Sequence, residues 1–196
     1  VAAKMNVQPG WSWSKCIKPL VGGESCQAAH IGFLEQGTLC IKMDDGTEQT
    51  IEAGMCYNIG PGHDGWIVGD EPVVGYEFNT ATAQNYGSSN EENKEETKST
   101  VTCKSFNHAD ETKEMDHVTV NVCKLGDTVV SQMMAKPGWS WSKCIKPLVG
   151  GDSCQASHLG FCQEGTMVVK MNDGTEQTIE PGMCYHIGPG HDGWVV

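Results

Sequence analysis

The strongest constraint on the architecture of this chain is a long internal repeat. Residues 9–68 recur as residues 137–196 at a fixed offset of 128, with about 47 of the 60 aligned positions identical. Both copies begin with Pro-Gly-Trp-Ser-Trp-Ser-Lys-Cys and carry Gly-Pro-Gly-His-Asp-Gly-Trp near their end. A repeat of this length predicts two copies of one domain, so each functional site is expected twice.

The register of the repeat and a change of composition predict how the chain is organised. Val1 aligns with Val129 and Val196 with Val68, so we expect a piece of a longer tandem array, in which neighbouring repeats or self-association complete the domains. The stretch between the copies is polar and acidic and cannot bury enough apolar surface to offset the entropy of ordering it. We therefore predict three regions, a first repeat, a linker and a second repeat: 1–78, 79–100 and 101–196.

Within each copy the pattern is that of short strands separated by tight turns. Residues 166–171 and 176–179 flank Asn-Asp-Gly-Thr, which predicts a hairpin because Asp-Gly tolerates the positive φ angles of a type I′ turn. Residues 118–123 alternate as a strand does, and a further strand is predicted at 127–134. No segment has sustained helical periodicity, so the sequence predicts an all-β sandwich or barrel.

Charge and hydropathy exclude two classes of partner. The formal net charge is −12, and all 13 basic residues are lysine. An acidic surface repels phosphate backbones, and a chain without arginine lacks the guanidinium group that binds phosphates and guanine edges with two hydrogen bonds. We therefore expect no nucleic-acid partner. No stretch approaches 18 consecutive apolar residues, so no membrane span is expected.

The chain has ten cysteines, which fit either a disulfide-stapled secreted protein or a protein with reduced thiols. Between the copies, Cys40 is replaced by Val168 and Leu34 by Cys162. Cysteines that exchange with Val and Leu behave as small buried hydrophobic residues, which favours reduced thiols and a reducing compartment such as the cytoplasm or an organelle interior. The localisation itself is not readable from the sequence.

The turns and their spacing resemble the cupin superfamily of small β-barrels, in which two-domain bicupins are common. Residues 54–63 and 182–191 read Gly-x6-Pro-Gly-His, which is close to the second cupin motif, Gly-x5-Pro-x-Gly with a following His. The chain is most similar to small bacterial cupins with a Pro-Gly-Trp-x-Trp-Ser start, a Cys-Gln-x-x-His middle and a Pro-Gly-His-Asp-x-Trp end. The resemblance implies two cupin-type double-stranded β-helix barrels in tandem, and it is far less specific for function.

The ligand pattern departs from that of the family. Counting back from Gly37 places His30 at the usual Glu position, while Glu24 and Cys26 fall at the two usual His positions. The resemblance then implies a metal site of Cys-His-His type in each copy. We name these sets the first triad (Cys26, His30 and His63) and the second triad (Cys154, His158 and His191).

Thiolate and imidazole are ligands that zinc prefers, and three protein ligands leave one position open, so zinc is expected first. Soft sulfur keeps iron and copper as alternatives. On one straight strand Cys26 and His30 would lie about 13 Å apart, so the chain must turn between them. In the alternative interpretation Cys26 packs in the core and the histidines bond to backbone carbonyls.

Other residues near the motifs have two interpretations each. Asp64 and Asp192 follow the motif histidines and either orient the imidazoles or cap turns. Cys16 and Cys144 are rival ligands in a different alignment, although core packing is the simpler expectation. Four tryptophans are predicted either to line an apolar pocket or to pack in the core: Trp13, Trp66, Trp141 and Trp194.

The sequence thus predicts a metal- or small-ligand-binding tandem module with a sensing, storage or assembly role. The alternative is a metal-dependent cupin enzyme, similar to an oxygenase, isomerase or lyase, acting on a small molecule. No general base is identifiable beyond the predicted ligands, and no cofactor motif is present. Whether the protein is an enzyme stays open at this point.

Overall fold

The computed structural model of the protein describes residues 2–78 and 100–196. The predicted linker therefore lies outside the described residues, except for Thr100. The chain divides into two compact units: unit 1 is Val1–Asp110 with Val122–Ser131, and unit 2 is Glu111–Asn121 with Gln132–Val196. Val101–Asp110, which the sequence division assigns to the second repeat, thus belongs to unit 1.

The described residues form sixteen strands. In chain order the strands are β1 (Ala3–Val7), β2 (His30–Gln36), β3 (Thr38–Met43), β4 (Glu48–Glu52), β5 (Met55–Ile59), β6 (His63–Ile67), β7 (Val73–Glu77), β8 (Val101–Ser105), β9 (Glu111–Met115), β10 (Val118–Leu125), β11 (Thr128–Ala135), β12 (His158–Phe161), β13 (Met167–Met171), β14 (Glu176–Ile179), β15 (Cys184–Ile187) and β16 (His191–Val195). The all-β expectation is confirmed.

Unit 1 contains a five-stranded sheet in the order β1-β7-β2-β5-β8 and a three-stranded sheet in the order β4-β3-β6. The side chains that face inward from both sheets form one apolar core, because alternate residues of a strand point to the same face. Its fully buried members include Leu34 from β2, Ile51 from β4, Tyr57 from β5 and Val73 from β7. This filled core holds the strands that carry the first triad.

Unit 2 repeats part of this arrangement. It contains a three-stranded sheet in the order β14-β13-β16 and a two-stranded sheet of β12 and β15. Val169, Ile179 and Ile187 form a small buried cluster between these strands. The strands β9, β10 and β11 form a further sheet in the order β11-β10-β9, of which residues 122–131 are assigned to unit 1.

The predicted hairpin is confirmed, but its turn is not of type I′. That type needs positive φ at two central residues, and among the described non-glycine residues only His117 has a positive φ. β13 pairs with β14 in antiparallel register, with Met167 opposite Ile179 and Lys170 opposite Glu176. Gly174 in the connecting turn has a φ of 90°, a value that side chains disfavour and glycine accepts. The backbone N–H of Thr175 donates to Asp173 Oδ1 at 2.8 Å, which closes the turn.

The helices are short and flank the strands. They comprise α1 (Trp13–Cys16), α2 (Lys18–Val21), a 3₁₀ turn (Phe106–His108), a π-helical turn (Trp141–Ile145) and α3 (Lys146–Val149). None of the helices in the described ranges has the length and apolar character that crossing a membrane requires.

Candidate metal centre

The structure brings the three side chains of each triad together. Cys26 Sγ lies 3.6 Å from His30 Nε2, and the corresponding distance from Cys154 to His158 is 3.5 Å. In each triad one ligand atom per residue can be chosen so that all three lie within 4.8 Å of one another. The two imidazole rings are 5.2 Å apart with an interplanar angle of 76° in both copies. The repeated sequence therefore builds the same constellation twice.

Backbone pairing positions the first triad. Cys26 forms an isolated antiparallel bridge with His63, in which Cys26 N donates to His63 O at 2.7 Å. His63 is the first residue of β6 and His30 the first residue of β2. Residues 27–29 lie in neither a helix nor a strand, so the chain turns between Cys26 and His30 as their convergence requires.

A backbone carbonyl determines the tautomer of His63. Its Nδ1 lies 2.7 Å from Gly60 O, and His191 Nδ1 lies at the same distance from Gly188 O. A carbonyl oxygen can only accept, so in the neutral ring Nδ1 carries the proton and Nε2 keeps a lone pair. Each of these histidines therefore offers Nε2 as a metal ligand.

Glu77 is a site residue that the sequence analysis missed. Its carboxylate oxygens lie 3.0 and 3.1 Å from His30 Nδ1, and its side chain is buried. Tyr57, also buried, donates its hydroxyl to Glu77 Oε1 at 3.3 Å. A carboxylate that accepts from a ligating imidazole orients the ring and raises its basicity as a ligand. The available signal was an acidic residue at the end of the otherwise apolar strand β7.

The charges of these groups are strongly coupled. Burial alone would raise the pKa of Cys26, but hydrogen bonds from His30 and His63 and the charge of His63 lower it to about 6. Burial alone would lower the pKa of His30, but Cys26 and Glu77 raise it to about 10. Without a metal, these values correspond to a thiolate and an imidazolium at neutral pH, which is the deprotonated sulfur that a metal needs.

The second triad differs from the first in its surroundings. His158 is more exposed than His30, and its partial burial, together with the charge of His191, lowers the pKa of His158. The same ligand set therefore has a different charge environment in the two units.

The two aspartates contact backbone groups. Asp64 Oδ1 accepts from Gly65 N at 2.7 Å and from Ser14 N at 3.1 Å, at the start of α1. Asp192 makes the equivalent contacts with Gly193 N and Ser142 N at the same two distances. These are the contacts of a capping residue. The Nδ1 atoms of the adjacent His63 and His191 bond to backbone carbonyls and not to the aspartates.

The remaining predicted positions lie around the triads. Trp13 and Trp141 are buried, and Trp141 packs in a cluster that includes Cys154. Trp66 and Trp194 are half-buried, and Trp66 lines an open surface concavity.

The rival ligands lie outside both triads. Cys144 is buried, as core packing predicts, with its Sγ 3.9 Å from Asp116 Oδ2. Cys16 is exposed, so the core-packing expectation is wrong for this residue. It belongs to the last turn of a four-residue helix, α1, whose one buried residue is Trp13.

Comparison with known proteins shows the fold. No protein-family model matches the chain, and no curated protein matches it in sequence. AerE from Microcystis aeruginosa is similar in structure, with a TM-score of 0.62 and 16% identity over 98% of this chain and 79% of its own. An oxalate decarboxylase from Lactobacillus farciminis, in a formate complex, has a TM-score of 0.60 and 12% identity over 99% of this chain and 71% of its own.

A single-residue mutant of the Bacillus subtilis oxalate decarboxylase OxdC has a TM-score of 0.60 and 11% identity. The match covers 99% of this chain, which spans 64% of the length of that enzyme. At these identities the likeness concerns the fold. The protein is an all-β protein with two cupin-type double-stranded β-helix barrels in tandem.

Proposed function

We propose that the protein is a metal-binding tandem cupin module in which each triad holds one divalent ion, with zinc as the preferred metal and iron or copper as alternatives. Its role would be to sense, store or use the ion in assembly. The observation that carries the proposal is the convergence of one thiol and two imidazoles in both copies, with all ligand atoms within 4.8 Å of one another.

The spacing of the donor atoms supports zinc. With a Zn–S bond of about 2.3 Å and a Zn–N bond of about 2.0–2.1 Å, a tetrahedral site separates sulfur from nitrogen by about 3.6 Å. The Cys–His distances of 3.6 and 3.5 Å fit this value before any rearrangement. A mixed thiolate and imidazole set also suits zinc better than magnesium or calcium, which take oxygen ligands.

Burial of the first triad supports a binding role over catalysis. Cys26 and His63 are buried, and the side chain of His30 is 16% exposed. The interior of unit 1 is filled by apolar side chains such as Leu34 and Tyr57. An ion can enter such a site through local opening, whereas a substrate needs a preformed concave pocket beside the metal.

Metal titration tests the proposal. Purified metal-free protein should bind about two zinc ions per chain. The double variant His30→Ala with His158→Ala should lose both ions and remain folded, since the core does not include these histidines. The matched control, Cys16→Ser with Cys144→Ser, should keep both ions. Loss of binding in the control but not in the histidine variant would move the site to the rival alignment. Protein that takes up no zinc, iron or copper would refute the proposal.

The enzyme alternative predicts a different result in the same samples. The structural likeness to oxalate decarboxylases makes oxalate the first compound to test. Turnover by the metal-loaded protein that disappears in the histidine variant would favour the enzyme. Stable metal binding without turnover of oxalate or related small acids would favour the binding module.

Strand pairing supports the expectation that neighbouring repeats complete the units. In unit 1, β5 pairs with β2 on one side and with β8 on the other, with Cys56 opposite Lys104. Its counterpart β15 pairs with β12 in a sheet of two strands. We propose that a strand of a neighbouring repeat or of another copy takes the place beside β15 that β8 takes beside β5. Sedimentation and amide hydrogen exchange test this proposal. A protein that stays monomeric at all concentrations and exchanges its β15 amides rapidly would contradict it.

A further inference from the structure

Two cysteines far apart in the sequence lie together in unit 1, away from the first triad. Cys56 on β5 and Cys123 on β10 belong to one small buried cluster with Phe106 and Leu125. Both cysteine side chains are completely buried, with 0% exposure. They are the two fully buried cysteines among the described residues, and neither takes part in a triad.

Hydrogen bonds place the two sulfurs beside the same short stretch of β8. Cys56 Sγ donates to Lys104 O at 3.2 Å, and Cys123 Sγ lies 3.8 Å from Ser105 O, the next carbonyl along the strand. The two thiols also interact directly. Burial raises the pKa of Cys56, and the charge and hydrogen bond of Cys123 raise it further, to about 12.

We infer that Cys56 and Cys123 are a disulfide-forming pair, which cross-links β5 to β10 when the protein folds in the presence of an oxidant. A disulfide forms without large movement of the backbone when the two cysteine backbones lie close together, and the shared buried cluster and the adjacent carbonyl partners on β8 are the observations that point to this pair. Oxidation would also remove two thiols from an apolar cluster, where each S–H is a weak donor to a backbone carbonyl.

The chemistry needs a two-electron acceptor, for which a low-molecular-weight disulfide such as oxidised glutathione suffices. One cysteine, as its thiolate, attacks the glutathione disulfide to form a mixed disulfide and release one glutathione thiolate. The second cysteine thiolate then displaces the other glutathione. The S–S bond of oxidised glutathione is broken, the Cys56–Cys123 bond is formed, and the two thiol protons end on two reduced glutathione molecules.

Burial determines when this exchange can occur. The thiolate is the reacting species, and in the folded protein the pKa of Cys56 holds that thiol in its protonated form. The bond should therefore form while the cluster is still open during folding, and should afterwards resist reductants. A protein folded in the reduced state should, for the same reason, oxidise slowly.

The second copy contains a natural comparison. Cys184, which aligns with Cys56, is exposed on β15 and does not belong to the buried cluster. The inference therefore concerns Cys56 and Cys123 and makes no use of Cys184. It is also independent of the metal proposal, because it uses neither triad.

Peptide mapping tests the inference on the full chain. The unfolded protein is refolded either in a glutathione redox buffer or in excess reductant, free thiols are alkylated, and trypsin is added. Cleavage at lysine gives peptide 43–94 with Cys56 as its one cysteine and peptide 114–124 with Cys123 as its one cysteine. We expect the redox-buffered sample to contain these two peptides joined, with a mass about 2 Da below their sum.

Two controls make the result decisive. Cys184→Ser should leave the joined peptide unchanged, whereas Cys123→Ser should abolish it and leave peptide 43–94 alkylated. The reduced, refolded sample should show both peptides alkylated, and joining should be slow when the oxidant is added after folding. Peptides 43–94 and 114–124 recovered alkylated from the redox-buffered sample, or joined to other cysteines, would overturn the inference. Metal content measured on the same samples separates this outcome from a failure of the metal proposal.

Discussion

His30 and Glu77 form a buried contact across 47 residues of sequence, with the imidazole Nδ1 3.0 Å from one carboxylate oxygen and 3.1 Å from the other. The same imidazole turns its Nε2 toward Cys26. The result is a continuous chain of thiol, imidazole and carboxylate, to which Tyr57 adds a hydroxyl. In this arrangement Glu77 is a positioning residue, which acts on the proposed metal site through His30.

The first prediction concerns Glu77→Gln. The amide keeps the shape of the side chain but removes the charge that strengthens the His30 contact. We expect zinc affinity at the first triad to fall by about 10–100-fold, the usual effect of removing a partner of this kind. Affinity at the second triad should not change. Isothermal titration of the wild type and the variant, each with His158→Ala to leave one site, measures the difference directly.

Glu35→Gln is the matched control for this experiment. Glu35 lies on β2, as does His30, and accepts the hydroxyl of Tyr76 at 3.1 Å, so it is also a hydrogen-bonded carboxylate of unit 1. Its partner Tyr76 is not a member of the first triad, and the variant should bind zinc with wild-type affinity. Equal losses in the two variants would mean that the effect is general destabilisation of unit 1.

The sequence predicted the parts of this protein that depend on local signals. The Asp-Gly hairpin and the alternating strand predicted at 118–123, which the structure extends to Leu125, follow from turn chemistry and periodicity. These features require only the order of neighbouring residues and a period of two. The grouping of each triad was predicted differently, from the resemblance to the cupin motifs, although its ligand types depart from the pattern of the family.

The features that the sequence did not reveal depend on long-range pairing. Glu77 reaches His30 because β7 lies next to β2 in the sheet, a strand order that no local pattern encodes. The pairing of β5 with β8 likewise joins residues on either side of the predicted linker. The four- and five-residue helical turns around Trp13 and Trp141 are too short to produce a periodic signal.

The second prediction concerns the pH dependence of stability in metal-free protein. The pKa of Cys26 is lowered from 9.0 to about 6, so its contribution is complete above pH 9 and is lost as the pH falls through 6. The pKa of His30 is raised from 6.5 to about 10, so its contribution is complete below pH 6.5 and is lost as the pH rises through 10.

Because the two groups form one ion pair, the stability that they contribute together is constant over a range of pH. Between about pH 6.5 and 9, folding moves one proton from Cys26 to His30 and exchanges none with solvent, so stability from the pair does not vary. We expect the difference in unfolding free energy between wild type and Cys26→Ser to be largest near pH ~7.5 and smaller near pH ~5 and ~10.5. Urea unfolding of both proteins in the presence of a chelator measures this difference at each pH. A difference that is constant across these three values would contradict the ion pair.

The third prediction compares Gly32→Ala with Gly160→Ala. A Cβ at Gly32 would overlap the backbone carbonyl of Tyr76 and lie 2.6 Å from the hydroxyl oxygen of Tyr57. A Cβ at Gly160 would meet the ring of Tyr185, which is only partly buried and can move. We expect Gly32→Ala to cost about 2–3 kcal/mol, as overpacking of a core does, and Gly160→Ala clearly less.

The contact between Gly32 and Tyr57 also connects Gly32 to the proposed metal site. The ring of Tyr57 that would be displaced carries the hydroxyl that donates to Glu77. Gly32→Ala should therefore also weaken zinc binding at the first triad, while Gly160→Ala leaves the first triad unaffected. Urea unfolding and zinc titration of the two variants check both parts. Equal destabilisation by the two changes would show that the β7 carbonyl is not the decisive contact.

The last prediction concerns Asp64→Ala together with Asp192→Ala. Each aspartate accepts two backbone N–H groups, one of them at the start of a helical turn, and neither side chain receives the Nδ1 proton of the adjacent histidine. Removing these acceptors should lower the stability of each unit by about 1 kcal/mol. Zinc affinity should remain at the wild-type value in both triads, in contrast to Glu77→Gln. Thermal unfolding and zinc titration separate the two effects. A loss of affinity as large as that of Glu77→Gln, at unchanged stability, would assign the aspartates to the orientation of the imidazoles instead of to the capping of turns.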